Sequence, residues 1–204
     1  MFIKSKKKTA TTYKQRNNQL TMQPAVRTRI TSLLQCKYPV LLPGMSWIST
    51  PELVAAVSNA GGCGILATGP LNAEETRESI RKIRLLAPNK PFGIGATLLM
   101  PGASENAKVA LEEQVPLINV SLGKPDWIAK ACHGYGGKVL ATVTNAKHAT
   151  AALDSGADAL MITGHEGIDN FVFVGDVVVE SMRCCFRKSN PHVFIFQCSC
   201  CSWR

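Results

Sequence analysis

Residues 43–69 read PGMSWISTPELVAAVSNAGGCGILATG. This stretch decides the fold, because it holds one turn, one helix and one strand with their punctuation. Gly44-Met45-Ser46-Trp47 is a turn that follows the apolar run Tyr38 to Pro43. Thr50 is placed as a helix N-cap, and Pro51 takes the first helical position, where a missing N–H costs nothing. Leu53, Val54, Ala56, Val57 and Ala60 recur at helical spacing and form one apolar face. Gly61-Gly62 ends that helix, since glycine readily takes the left-handed C-terminal conformation. Gly64-Ile65-Leu66-Ala67 is then a strand, and Thr68-Gly69 is its turn.

The alternation continues on both sides of this stretch. Apolar runs begin near Pro39, Gly62, Phe92, Pro116, Lys138 and Asp158. Helical patterns lie between them, over about Ala73 to Leu86, Ser104 to Gln114, Pro125 to His133, and from an Asn145 cap to Gly156. A parallel strand is reached only through a long crossover, usually a helix, so the pattern predicts an α/β fold with a parallel sheet. Ligands in such folds sit at the carboxyl ends of the strands. An eight-stranded β/α barrel takes about 250 residues, and residues 38–166 suffice for roughly five and a half units. After Glu166 the alternation stops. Phe171 to Val174 and Val177 to Val179 read as strands with no helix of useful length between them.

The net charge of +9 is local. Residues 1–37 hold nine Lys and Arg and no acid, while the remaining 167 residues carry 14 basic and 14 acidic groups. The β/α region therefore gives no charge-based case for nucleic-acid binding. The acid-free arm, residues 1–30, reads as a solvated, disordered extension. Its Lys, Thr and Gln loosely fit an organelle transit peptide, but such peptides favour Arg and Ser, and this arm has a single Arg before Arg27. No apolar run reaches 18 residues, so no membrane span is expected, and a cytoplasmic protein is the reading.

Cys36, Cys63 and Cys132 are scattered as buried thiols commonly are, whereas five cysteines crowd residues 184–201. Only Cys198 and Cys201 there have the C-x-x-C spacing, and a zinc site normally needs two such pairs. No metal site is expected. Gly61-Gly62-Cys63-Gly64 precedes a strand rather than joining strand to helix, so it reads as tight packing and not as a phosphate cradle. His165 follows the sixth strand, where it is either a proton acceptor or a loop hydrogen-bonding residue. His133, His148, Glu74, Glu75 and Glu78 read as surface.

Pro43-Gly44-Met45 with the string S-T-P-E-L-V-A-A-V-S-N-A-G-G-C-G-I-L resembles the opening of the nitronate monooxygenase family, formerly called 2-nitropropane dioxygenases. Pro91-Phe-Gly-Ile-Gly95 and Gly156-Ala-Asp-Ala-Leu-Met-Ile-Thr-Gly-His-Glu166 resemble its third and sixth strands. Flavin-dependent enoyl-ACP reductases share the opening motif. The resemblance implies a (β/α)8 TIM barrel, here truncated after about six units, with irregular N- and C-terminal tails. It implies FMN at the carboxyl ends of the strands and oxidation of a small nitronate by O2. Carried over by position, Gly44 and Met45 present backbone to the flavin, Thr68 and Gly69 border it, Thr163 and Gly164 lie beside it, and Lys138 to Thr144 line the floor. The family's histidine four positions after the glutamate is replaced by Asn170, which leaves His165 as the candidate base. Gly95 stands where members often have Asn. The turns after strands seven and eight, which hold the FMN phosphate, have no counterpart. Residues 31–166 are thus expected to form a partial FMN-binding barrel. Residues 167–204 are expected to be an aberrant or disordered Cys-rich tail. The other readings are an enoyl-ACP reductase-like flavoprotein and a non-catalytic fragment.

Overall fold

The structure is a computed structural model that describes residues 27–163 and 170–174. Six strands alternate with helices in the order the sequence predicts. They are β1 (Leu41–Leu42), β2 (Cys63–Ala67), β3 (Phe92–Thr97), β4 (Leu117–Ser121), β5 (Lys138–Val143) and β6 (Ala159–Thr163). All six are parallel and hydrogen-bonded in sequence order. The helices between them are α2 (Pro51–Asn59), α3 (Ala73–Leu86), α4 (Ala103–Glu112), α5 (Asp126–Gly134) and α6 (Ala146–Asp154), and α1 (Arg29–Leu34) precedes β1. This is a curled half-barrel of the β/α type.

Some boundaries differ from the sequence reading. The predicted first strand shrinks to two residues. Pro39 and Pro43 have no N–H to give to a ladder, and the Val40 amide turns back to Tyr38 O. Helix α1 was not anticipated, because six residues of RITSLL show too little periodicity. A capping box between Thr28 and Thr31 starts it, and Leu34 is buried against the sheet. A strand β7 (Asn170–Val174) pairs antiparallel with β6, Thr163 opposite Asn170. Only six residues separate the two strands, which is too short for a parallel crossover.

Side chains alternate between two cores. Inner-face Cys63, Ile65, Leu117, Leu140, Ala159 and Met161 cluster with Leu34 and Cys36. Outer-face Leu66, Phe92, Ile94, Ile118, Val120 and Val139 pack with Val54, Ile80, Ile83 and Ile128 of the helices. Buried on both faces, β2 is apolar throughout, while β3 to β6 are largely apolar.

Glycine sets the closest approaches. A Cβ on Gly64 would lie 2.7 Å from Val54 O of α2, and one on Gly93 would lie 2.9 Å from Leu117 O. Gly61 sits at φ 99°, ending α2 as expected. The Gly61–Gly64 string is therefore packing and turn chemistry.

The amino ends of β5 and β6 are pinned by Asp158. Its carboxylate accepts from the Val139 N–H at 2.8 Å, Lys138 Nζ at 3.0 Å and His133 Nε2 at 2.8 Å. Burial pushes this carboxyl up, but those hydrogen bonds outweigh it and hold it below the ordinary aspartate range. Lys138 therefore serves strand pairing at the bottom of the sheet, away from the carboxyl ends.

Two outcomes are expected. Gly64→Ala lowers stability in urea unfolding by about 1–3 kcal/mol through overpacking, whereas Gly134→Ala, with open space around its Cβ position, does not. Asp158 holds its proton less tightly when folded than when unfolded. Its contribution is complete above the unfolded aspartate range and is lost as pH falls through the lowered folded value. Asp158→Asn therefore reduces stability at neutral pH and flattens the acid limb of a stability–pH curve.

Candidate functional site

The carboxyl end of the sheet is built from turns whose backbone is tied down by buried side chains. After β1, Ser49 Oγ donates to Pro43 O at 2.7 Å and accepts from the Met45 N–H at 3.0 Å. Ser49 is buried, and its carbonyl accepts from the Ala67 N–H at 3.3 Å. The Pro43-Gly44-Met45 turn is thereby fastened to the end of β2. Gly44 is exposed while Met45 is half-buried.

After β2, the buried Thr68 Oγ1 donates to Gly95 O at 2.5 Å. Asn106 of α4 donates through Nδ2 to Thr68 O at 3.0 Å and to Leu71 O at 2.8 Å. Gly69 stays exposed, and a Cβ there would lie 3.4 Å from Ser46 Oγ. The turns after β1 and β2 therefore adjoin.

Gly44 and Gly95 both rest on Ile65. A Cβ on either would approach Ile65 Cγ2, at 3.3 Å for Gly44 and 3.6 Å for Gly95, and the Gly95 position lies 4.0 Å from Gly44 Cα. Two side-chain-free backbones thus sit side by side on one isoleucine. Such a surface admits a flat group to close backbone contact. Beside it, the inner face turns polar: Thr97, Asn119, Ser121, Thr142 and Thr163 follow the apolar positions of their strands. Thr142 Oγ1 donates to Asn119 Oδ1 at 3.2 Å. That bond orients the Asn119 amide, so its NH2 group is what the side chain has to donate. None of these inner-face groups carries a charge. They can bind and orient by hydrogen bonding, and they supply no general base.

Gly44, Met45, Thr68 and Gly69 thus meet at one edge, as expected by position, and Thr163 ends β6 at the same end of the sheet. Gly164 and His165 lie outside the described residues, as do the tail cysteines. Among the described residues no cluster of His, Cys, Asp or Glu could hold a metal ion. The described thiols are poor nucleophiles, since burial pushes Cys63 up to about 12, with Cys36 adding to the rise. A cleft of about 400 Å³ lined by Leu34, Cys63, Phe92, Leu117 and Lys138 lies at the opposite, amino end of the strands. There, residues of a β/α barrel serve stability rather than chemistry.

Sequence reading missed Ser49, Asn106 and Asn119. Asn119 had a signal, a polar residue at an inward position of an otherwise apolar strand. Ser49 is hidden beside the Thr50 cap, and Asn106 on an amphipathic helix is indistinguishable from a surface asparagine. Large apolar side chains also rim this end. Trp47, Leu99 and Leu122 are 82%, 77% and 62% exposed. Trp47 and Leu122 hold φ values of 66° and 51°, a left-handed conformation costing of order 1–3 kcal/mol that is found at functional turns.

Ser49→Ala strands Pro43 O and the Met45 N–H. The expected loss in urea unfolding is about 1–3 kcal/mol, the net contribution of two part-buried hydrogen bonds.

The nitronate monooxygenase family model matches residues 27–125. A hydroxy-methyl-oxo-octahydroindene-carboxyl-CoA dehydrogenase of Mycobacterium tuberculosis is 31% identical over 142 residues, which are 70% of this chain and 40% of that protein. Among solved structures, FabK from Thermotoga maritima gives a TM-score of 0.66 at 38% identity, covering 69% of this chain and 45% of that one. A nitroalkane oxidase from Streptomyces ansochromogenes gives 0.61 at 26% identity, covering 67% and 49%. The chain spans less than half the length of each of these proteins.

Proposed function

We propose, from the match of residues 27–125 to the nitronate monooxygenase family model, that the chain binds FMN at the carboxyl ends of its strands and serves a flavin-dependent oxidoreductase that oxidises a small nitronate with O2. The observation that carries this reading is the paired, side-chain-free backbone of Gly44 and Gly95 on Ile65. It fits one edge of a flat, fused-ring cofactor, with Gly44, Met45, Thr68 and Gly69 lining that edge and Thr163 on the far side; Gly164 is assigned to the site from the sequence alone. When bound, the flavin supplies the electron-accepting chemistry, and the protein supplies binding and orientation.

The described side chains have a defined part in this. Ser49 and Thr68 keep the two backbone turns rigid. Asn119, oriented by Thr142, offers an N–H donor suited to the oxygens of a nitronate anion. A nitronate is already the conjugate base of its nitroalkane, so its recognition asks for hydrogen-bond donors first. For a substrate that arrives protonated, His165 is the proposed proton acceptor, with Asn170 unable to fill that role near neutral pH.

A second reading is an enoyl-thioester reductase-type flavoprotein that uses NAD(P)H. The exposed rim of Trp47, Leu99 and Leu122 favours it, because an apolar substrate chain would find contact there. The relative from Mycobacterium tuberculosis is, by its name, a dehydrogenase of a CoA-linked compound.

Titration of the purified full chain with FMN, followed by flavin fluorescence, tests the reading. Saturable binding is expected. Gly95→Ala should bind FMN as the parent does, since its Cβ meets only ordinary contacts. Gly95→Leu, which fills the cradle, should bind at least tenfold more weakly. Loss of the visible flavin absorbance under anaerobic ethyl nitronate supports the nitronate reading, and loss under NADPH alone supports the second. A chain that binds no FMN overturns both and leaves a non-catalytic fragment.

A further inference from the structure

We infer that Asn106 is a positioning residue for the proposed cofactor site: from α4 it holds the turn after β2 in its ligand-ready shape. The inference rests on the flavin reading above for its functional half. Asn106 lies in the first turn of α4, 1% exposed, with its backbone N–H donating to Gly102 O at 3.0 Å. Both bonds from its Nδ2 group go to one turn, to Thr68 O and Leu71 O. Thr68 O also accepts from the Leu71 N–H at 3.0 Å, and Thr68 Oγ1 reaches Gly95 O. The Thr68 residue is thus tied to β3, to α4 and across its own turn, leaving Gly69 presented outward.

The amide of Asn106 is fixed in one orientation. Reversed, it would set Oδ1 against two carbonyl oxygens. In the orientation observed, Oδ1 is buried and has no hydrogen-bond partner. A buried unpaired acceptor is unfavourable, so asparagine is a poor choice for packing alone; leucine has nearly the same shape and strands no acceptor of its own. What asparagine contributes is restraint of two loop carbonyls. Without it, Leu71 O loses its side-chain donor, and the turn gains hydration by opening. α4 is a firm base for this grip, since Arg77, Arg81 and Arg84 of α3 converge on the Glu113 carboxylate at its end.

The experiment compares the full chain with Asn106→Leu by amide hydrogen exchange without cofactor, by thermal unfolding and by FMN titration. Exchange in the segment 68–72 should quicken at least tenfold while β3 to β5 keep their protection and the unfolding midpoint stays close to the parent's. FMN affinity should fall at least tenfold. A purely structural role would instead lower the midpoint and quicken exchange across the sheet, which overturns the inference. So does unchanged exchange at 68–72. If Asn106→Leu does not fold, Asn106→Ala, which also removes both Nδ2 bonds, provides the same readouts, and uniform loss of protection there is equally contrary. A parent chain that binds no FMN sinks the flavin reading alone, and the exchange result still decides whether Asn106 restrains the turn.

Discussion

The backbone of β2 lies against α2 with no room for a side chain between them, and the rest of the molecule depends on that contact. Gly64 faces Val54 O at a distance no Cβ could occupy. The contact brings α2 down onto the sheet, and β2 is thereby set beside β1 and β3 at the depth where their carboxyl ends meet. Gly44, Thr68 and Gly95 become neighbours only because the first crossover is this tight. The same economy recurs where Gly93 passes Leu117 O. Close backbone approach therefore does two things in this chain. At the amino half it seats a helix and a neighbouring strand. At the carboxyl half it leaves a bare platform over Ile65.

The inner face of the sheet changes character along the strands. At the amino ends it is apolar, filled by Cys63, Leu117, Leu140 and Ala159 and covered by Leu34 of α1. At the carboxyl ends it carries hydroxyl and amide groups. Burying a polar group without a partner is costly, so such groups persist where they are paired or open to a ligand. Asn119 and Thr142 satisfy one another in part, and Thr68, Ser49 and Asn106 are spent on backbone carbonyls. The site is thus two shells. The inner one is backbone and small residues, and the outer one is a set of hydrogen bonds that hold the turns still.

Much of this was legible beforehand. The parallel β/α order was, because periodicity and glycine or asparagine punctuation report local geometry. Asn145 caps α6 through a bond to the third residue onward, as its sequence context indicates. The placement of Gly44, Met45, Thr68 and Gly69 in turns at strand ends was legible as well, since each follows an apolar run. The short helix α1 was not, because its stability comes from packing Leu34 on the sheet and not from its own sequence. Nor was the pairing of β7 with β6, which depends on which edge of β6 remains open.

By itself, then, the sequence determined the alternation of strand and helix, the direction of the first six strands and which turns follow their carboxyl ends. These follow from interactions between residues a few positions apart. Only the tertiary structure decided which groups act together there. Ser49 grips a turn six residues behind it, Thr68 reaches Gly95, and Asn106 reaches back 38 positions to Thr68. A serine, a threonine and an asparagine have many equivalent uses along a chain, and their partners are selected by packing, which brings distant carbonyls within hydrogen-bond distance.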